Sequence, residues 1–165
     1  MFDIPPPPMV PADAPQEVVE RMEQPTPLTQ QCLERVSRRY QVHPVILSLV
    51  HRVEAGYIGA KVENSNGTFD LGFMQVNTIH LEFLADYGIT EKMLMNNACI
   101  SLGFAAWYVR TVTVNQKGVG SDDYFRAIAR YHSKNEPFNT NYAMRLKEEF
   151  QMVFGEQSQV SNGSE

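Results

Sequence analysis

At 165 residues, 43% of them apolar, the chain can bury one sizeable core, and a formal charge of −5 argues against general attraction to nucleic acid. No window approaches the roughly 18 apolar residues of a membrane helix, so no membrane span is expected. The opening, MFDIPPPPMVP, lacks the basic and apolar regions of a signal peptide; an exported protein would have had its signal removed.

Residues 1–25 hold most of the prolines and read as a flexible, extended leader, a kind of segment suited to docking on a partner. Residues 156–165 are polar and Gly/Ser-rich and read as a tail. A single domain is expected over residues 26–155. Its first helix is predicted from Thr26 as cap and Pro27 as first helical residue, with Leu28, Cys32, Val36 and Tyr40 at four-residue steps. Pro44 opens a second helix, apolar nearly all round through Val53, which Gly56 can end. Asn66-Gly67 is a strong hairpin signal and predicts a two-stranded ribbon. Helices follow over Ile79–Tyr87 with Gly88 as terminator, Asn97–Val114, Ser121–His132 and Thr140–Phe154, with a short turn from Thr90. The fold class is therefore α+β, mostly α, with a small hairpin beside the second helix.

Chemistry enters with Glu54, in the last turn of that apolar helix. Partial desolvation disfavours the charged carboxylate, which is the condition a general acid needs near neutral pH. A solvated surface glutamate is the plainer alternative. Ten residues on, the stretch NSNGTFDLGFMQVN sets Asp70, Gly72, Met74, Gln75 and Asn77 beside the predicted turn.

The order EAG, hairpin, FDLGFMQVN resembles the catalytic region of goose-type lysozymes and lytic transglycosylases, in which a Glu-Ser-Gly helix end precedes a Gly-Leu-Met-Gln-hydrophobe segment. Cys32, YGIT at 87–90, NNACISLGFAAWYV at 96–109 and ARYHS at 129–133 are similar to the specialised transglycosylases of conjugation, secretion and pilus systems. The resemblance covers about Gln31 to Phe150. It implies a lysozyme-like domain that cleaves peptidoglycan glycan strands, with Glu54 as catalytic acid and base. Gly72, Met74 and Gln75 would line the sugar groove, with Asn77 beside them, and Tyr131 would contact the glutamate. For Met74 and Tyr131 the alternative is core packing. Two departures stand out: Ala55 replaces the usual serine, and Arg130–Lys134 replaces Ala-Tyr-Asn-Ala-Gly. His132, a lone histidine, reads as a structural or groove-wall group.

The same stretch is similar to the segment of animal c-type lysozymes that carries the second carboxylate, which falls on Asp70. Two readings of Asp70 stay open: a charge partner in glycoside cleavage, or a support of the ribbon through backbone N–H groups. The transglycosylase resemblance implies a 1,6-anhydro product, with no metal and no cofactor. It also implies a Cys32–Cys99 disulfide, worth about 4 kcal/mol on the chain-entropy model, and with it a periplasmic location. Two buried free thiols are the alternative. The implied partners are glycan strands and components of a secretion, conjugation or pilus machine. A hydrolytic lysozyme using Glu54 and Asp70, and a non-catalytic wall-binding module, are the rival functions.

Overall fold

The computed structural model describes residues 3–116 and 120–160, with side chains through residue 155. The chain divides into two compact units, Met1–Thr111 and Val112–Glu165. The first carries α1 (Gln16–Met22), α2 (Gln30–Tyr40), α3 (Pro44–Glu54), a three-stranded sheet of β1 (Lys61–Glu63), β2 (Phe69–Leu71) and β3 (Val76–Asn77), then α4 (Leu81–Ala85), α5 (Glu91–Asn96) and most of α6 (Ala98–Thr113). The second carries α7 (Ser121–Ile128), a 3-10 turn over Ala129–Tyr131, and α8 (Phe138–Val160). The architecture is α+β, mostly α. No helix of the described residues is long and apolar enough to cross a membrane.

The first unit is built on apolar helices. In α3 the ring of His43 accepts the Val45 N–H, Pro44 takes the first turn, and Leu47, Leu49, Val50 and Val53 are buried. α6 buries nine of its residues, Ile100, Leu102, Phe104 and Val109 among them. The sheet is antiparallel in the order β1-β2-β3, with Val62 opposite Asp70 and Asp70 opposite Asn77. In the second unit, Phe125, Ile128, Tyr142 and Leu146 are buried, and the buried Asn139 amide ties Arg126 O to Ser133 O at 3.1 and 2.9 Å.

Several expectations are corrected. α2 starts at Gln30 because Thr29, not Thr26, accepts the Cys32 N–H; Thr26 is extended and bridges to Asn97. The ribbon gains β3, a strand of two residues, too short to show alternation in the sequence. The Ile79–Tyr87 helix is broken into a 3-10 turn, Thr78–His80, capped by the Asn77 side chain, and the short α4. Thr90 caps a six-residue helix rather than a turn, and α8 begins two residues earlier than predicted and continues past Gly155.

The largest correction is the leader. It packs on the first unit, with burial that repeats every three residues: Pro7 and Val10 are buried and Ile4 half-buried, whereas Asp3, Pro6 and Met9 are exposed. A period of three is that of a polyproline helix, which four consecutive prolines favour. Tyr40 donates its hydroxyl to Pro6 O at 2.9 Å, and Val10 N–H donates to Tyr87 O at 2.8 Å. A Cβ on Gly103 would lie 2.8 Å from the Pro8 ring. Further along, the Asn96 and Asn97 side chains donate to Glu23 O and Met22 O. Proline-rich composition lowers the entropy cost of ordering such a segment, and these contacts offset what remains.

Candidate active site

Glu54 is the last residue of α3 and is half-buried, directly after the buried Val53. The helix ends there because Ala55 adopts the left-handed conformation, φ 54°, and its N–H returns to His51 O at 2.7 Å. Sequence reasoning assigned that terminating role to Gly56. Gly56 has a different one: a Cβ there would strike the carbonyl oxygens of Gly72 and Phe73 and lie 2.9 Å from the Gln75 Cγ. Only glycine permits so close an approach, and it brings the exit of the glutamate helix against the Gly72–Gln75 segment.

That segment is itself tightly held. Gly72, at φ 67°, donates its N–H to Ala60 O at 2.8 Å, and a Cβ on it would strike the Leu94 carbonyl at the end of α5. Met74 N–H donates to the buried Ser101 hydroxyl on α6 at 3.0 Å. Gln75 also has positive φ, 53°, and its side-chain amide donates to Gly72 O at 3.0 Å. The only other described non-glycine residue at positive φ is Gln41. Two of the three such residues, Ala55 at the helix exit and Gln75 in the turn, therefore belong to this junction, and each costs about 1–2 kcal/mol of backbone strain that the surrounding packing must hold.

β2 sets Asp70 two residues before Gly72, half-buried, with Oδ1 accepting from the Asn77 amide at 2.9 Å. Asn77 links further, donating to the Thr68 hydroxyl at 3.0 Å and accepting from Ile79 N–H at 3.0 Å. The hairpin below closes through Asn64 N–H to Thr68 O, with Gly67 at φ 82° and Asn66 accepting from the Thr68 hydroxyl. Asp70 thus pairs with a side-chain amide on the neighbouring strand.

The sequence-predicted residues divide as follows. Glu54, Asp70, Gly72, Met74, Gln75 and Asn77 all belong to the first unit, in the helix exit, sheet and turn just described. Met74 is corrected: its side chain is fully buried, so it packs in the core and does not line a groove. Gly72 is buried too and acts through its backbone. Tyr131 and His132 lie in the second unit, Tyr131 half-buried at the end of the 3-10 turn and His132 exposed, its ring stacked on Tyr142 at 5.1 Å. Cys32 and Cys99 are joined as a disulfide between α2 and α6, with Cα atoms 5.9 Å apart, and the Arg35 guanidinium donates to the Cys99 sulfur. Sequence reasoning missed Ser101, which looks like any small residue on an apolar helix, and His51, one turn before Glu54.

A half-buried carboxyl at a helix exit, an amide-bound carboxylate on the sheet and a strained glutamine against that helix exit are groups that can protonate a leaving oxygen, stabilise positive charge and hydrogen-bond a polar substrate. No family model matches the chain. It is 33% identical over 76 residues to Protein IpgF of Shigella flexneri, covering 46% of this chain and 50% of that one. It is 25% identical over 136 residues to Invasion protein IagB of Salmonella typhimurium, covering 79% and 82%. The chain thus spans about half the length of the Shigella relative and about four-fifths of the Salmonella one.

Proposed function

We propose that the protein is a peptidoglycan lytic transglycosylase that opens the cell wall locally for a secretion, conjugation or pilus apparatus. The observation that carries this reading is the seating of Gly56 on Gly72 and Phe73, which joins the end of the Glu54 helix to the turn that begins at Gly72, two residues past Asp70, and bears Gln75. Glu54 in its acid form protonates the glycosidic oxygen between N-acetylmuramic acid and N-acetylglucosamine, and that bond breaks. Positive charge develops at C1 of the muramic sugar, where its own acetamido oxygen bonds transiently, and the Asp70 carboxylate lowers the energy of that charge. Glu54, now a carboxylate, removes the proton of the C6 hydroxyl of the same sugar. The C6 oxygen closes on C1, displaces the acetamido oxygen and leaves a 1,6-anhydro ring, with the proton back on Glu54. The Gln75 amide and Asn77 hold hydroxyl or N-acetyl groups of the strand. Likeness to a protein named for invasion supports the link to an export apparatus, and the disulfide fits an oxidising compartment such as the periplasm.

Mass spectrometry of products from purified peptidoglycan tests this. Muropeptides ending in 1,6-anhydro-N-acetylmuramic acid are expected. Reducing ends, heavier by one water, would instead mean hydrolysis by a lysozyme using the same two carboxyls, and no cleavage would leave a wall-binding module.

A further inference from the structure

His51 sits one turn before Glu54 and is committed at both its backbone and its ring. Its carbonyl accepts the Ala55 N–H that closes the left-handed exit, and its Nε2 lies 3.0 Å from the Gly56 carbonyl oxygen. A carbonyl only accepts, so that ring nitrogen carries the hydrogen, which fixes the imidazole as the Nε2–H form whenever it is neutral. The flat face of the ring stacks on Phe73, centroids 3.8 Å apart and planes 15° from parallel. Phe73 is also one of the two residues whose carbonyls crowd Gly56. One side chain therefore grips the two strands of the junction, the exit after Glu54 by a hydrogen bond and the Gly72–Gln75 turn by its face.

Resting on the transglycosylase reading, we propose that His51 is a positioning residue: through the Gly56 bond and the Phe73 stack it holds the Glu54 helix end in register with the Gln75 turn. The backbone at Ala55 and Gln75 is strained, so it needs such a clamp, and a strained junction released by even an ångström moves a general acid out of line with its oxygen. The glycan would still bind, because Asp70, Asn77 and the sheet are held by their own contacts and the Gln75 amide by its bond to Gly72 O within the turn. The clamp therefore governs turnover rather than affinity.

Two variants separate its parts. His51→Phe keeps a flat ring over Phe73 but offers Gly56 no donor, whereas His51→Gln keeps a donor and loses the stack. With soluble glycan fragments as substrate, His51→Phe is expected to lower kcat about tenfold with KM within twofold of the parent, and His51→Gln to recover part of that loss. In the same proteins, hydrogen exchange of the Ala55, Met74 and Gln75 amides, all of which are bonded, should quicken about tenfold in His51→Phe while amides of α6 keep their rates. Parental kcat, a loss confined to KM, or unchanged exchange at those amides overturns the proposal. Should His51→Phe fail to fold, Phe73→Leu removes the stack from the opposite side and is held to the same outcomes. A parent that cleaves no peptidoglycan refutes the functional reading, and the exchange measurement then decides the clamp by itself.

Discussion

Gly56 and Gly72 meet backbone to backbone: the hydrogen of Gly56 that a side chain would replace points at the Gly72 carbonyl oxygen, closer than any Cβ is tolerated. Gly56→Ala must push the two segments apart, at a cost of about 1–3 kcal/mol for overpacking. The expected fall in thermal midpoint is about 10 °C or less, with activity lost well beyond the folded fraction, because the displaced parts include the helix end that carries Glu54. Scanning calorimetry beside a peptidoglycan-clearing assay checks it. An alanine variant with parental stability and rate would mean that the junction is not tight in solution.

Glu54→Gln keeps the size of the side chain and removes the proton it donates. General acid catalysis alone contributes about 10²–10⁴-fold, and in the proposed mechanism the same group also serves as base, so a loss near or beyond the upper figure is expected. Circular dichroism must show parental folding. A folded variant that cleared peptidoglycan within a few-fold of the parent would remove Glu54 from the mechanism.

What the sequence disclosed follows from which forces are local. The apolar run of α3 and the long apolar α6 declare themselves by periodicity, and the hairpin by Asn66-Gly67, even though only Gly67 takes positive φ and the turn is therefore the three-residue kind. Gly56 was legible as a glycine but not in its purpose, because a terminator and a close approach look alike in one dimension. Met74 was assigned to a groove by motif position, whereas burial depends on α6, 27 residues away, whose Ser101 fixes its backbone. The leader misled by composition: proline-rich segments lack the apolar surface of a core, yet a period-three edge of Ile4, Pro7 and Val10 can lie on one already built.

Deleting residues 1–11 should destabilise the protein. It exposes the seat of Val10 and leaves the nearly buried Tyr40 without its Pro6 acceptor, a loss of about 3 kcal/mol from one apolar side chain and one hydrogen bond. Urea unfolding should show the midpoint falling, and Tyr40→Phe alone should account for about 1 kcal/mol. An unchanged midpoint on deletion would restore the free, recruiting leader.

The disulfide links residues 67 apart. Replacing both Cys32 and Cys99 by serine should cost about 4 kcal/mol on the chain-entropy model, a fall in thermal midpoint on the order of 10 °C. The parent in reductant should fall by a similar amount. Alkylation of both cysteines in the unreduced, folded protein would show that the bond does not form.

Stability should fall as the solution is acidified below about pH 6.5, the ordinary histidine value. His80 is largely buried against the rings of Phe104 and Tyr108, both with centroids 4.9 Å away, and that burial lowers its pKa by penalising the charged ring. Between the lowered folded value and the ordinary unfolded one the unfolded chain binds the proton that the folded chain does not, so stability is full above the unfolded pKa and is lost as pH drops through that window. His80→Phe keeps the ring and removes the titration. Thermal midpoints at pH 7.5 and 5 should therefore differ less in the variant than in the parent; equal differences would free His80 of the effect.

Asp70 decides between charge stabilisation and covalent catalysis. Its Oδ1 is held by the Asn77 amide across β2 and β3, a neutral donor that orients the carboxylate without neutralising it. A carboxylate so held suits the task of lowering the energy of a cation nearby, and in the proposed mechanism the substrate's acetamido group supplies an internal nucleophile, so no bond from Asp70 to sugar is required. Asp70→Asn is expected to slow cleavage by about 10- to 100-fold without abolishing it, and Asn77→Ala, which frees the carboxylate but keeps its charge, to slow it less. The products of both should still end in the 1,6-anhydro ring. Trapping with a fluorinated glycan and mass analysis of the protein would reveal a glycosyl adduct on Asp70 if the residue were a nucleophile; that adduct, or complete loss of cleavage in Asp70→Asn, would overturn charge stabilisation as its role.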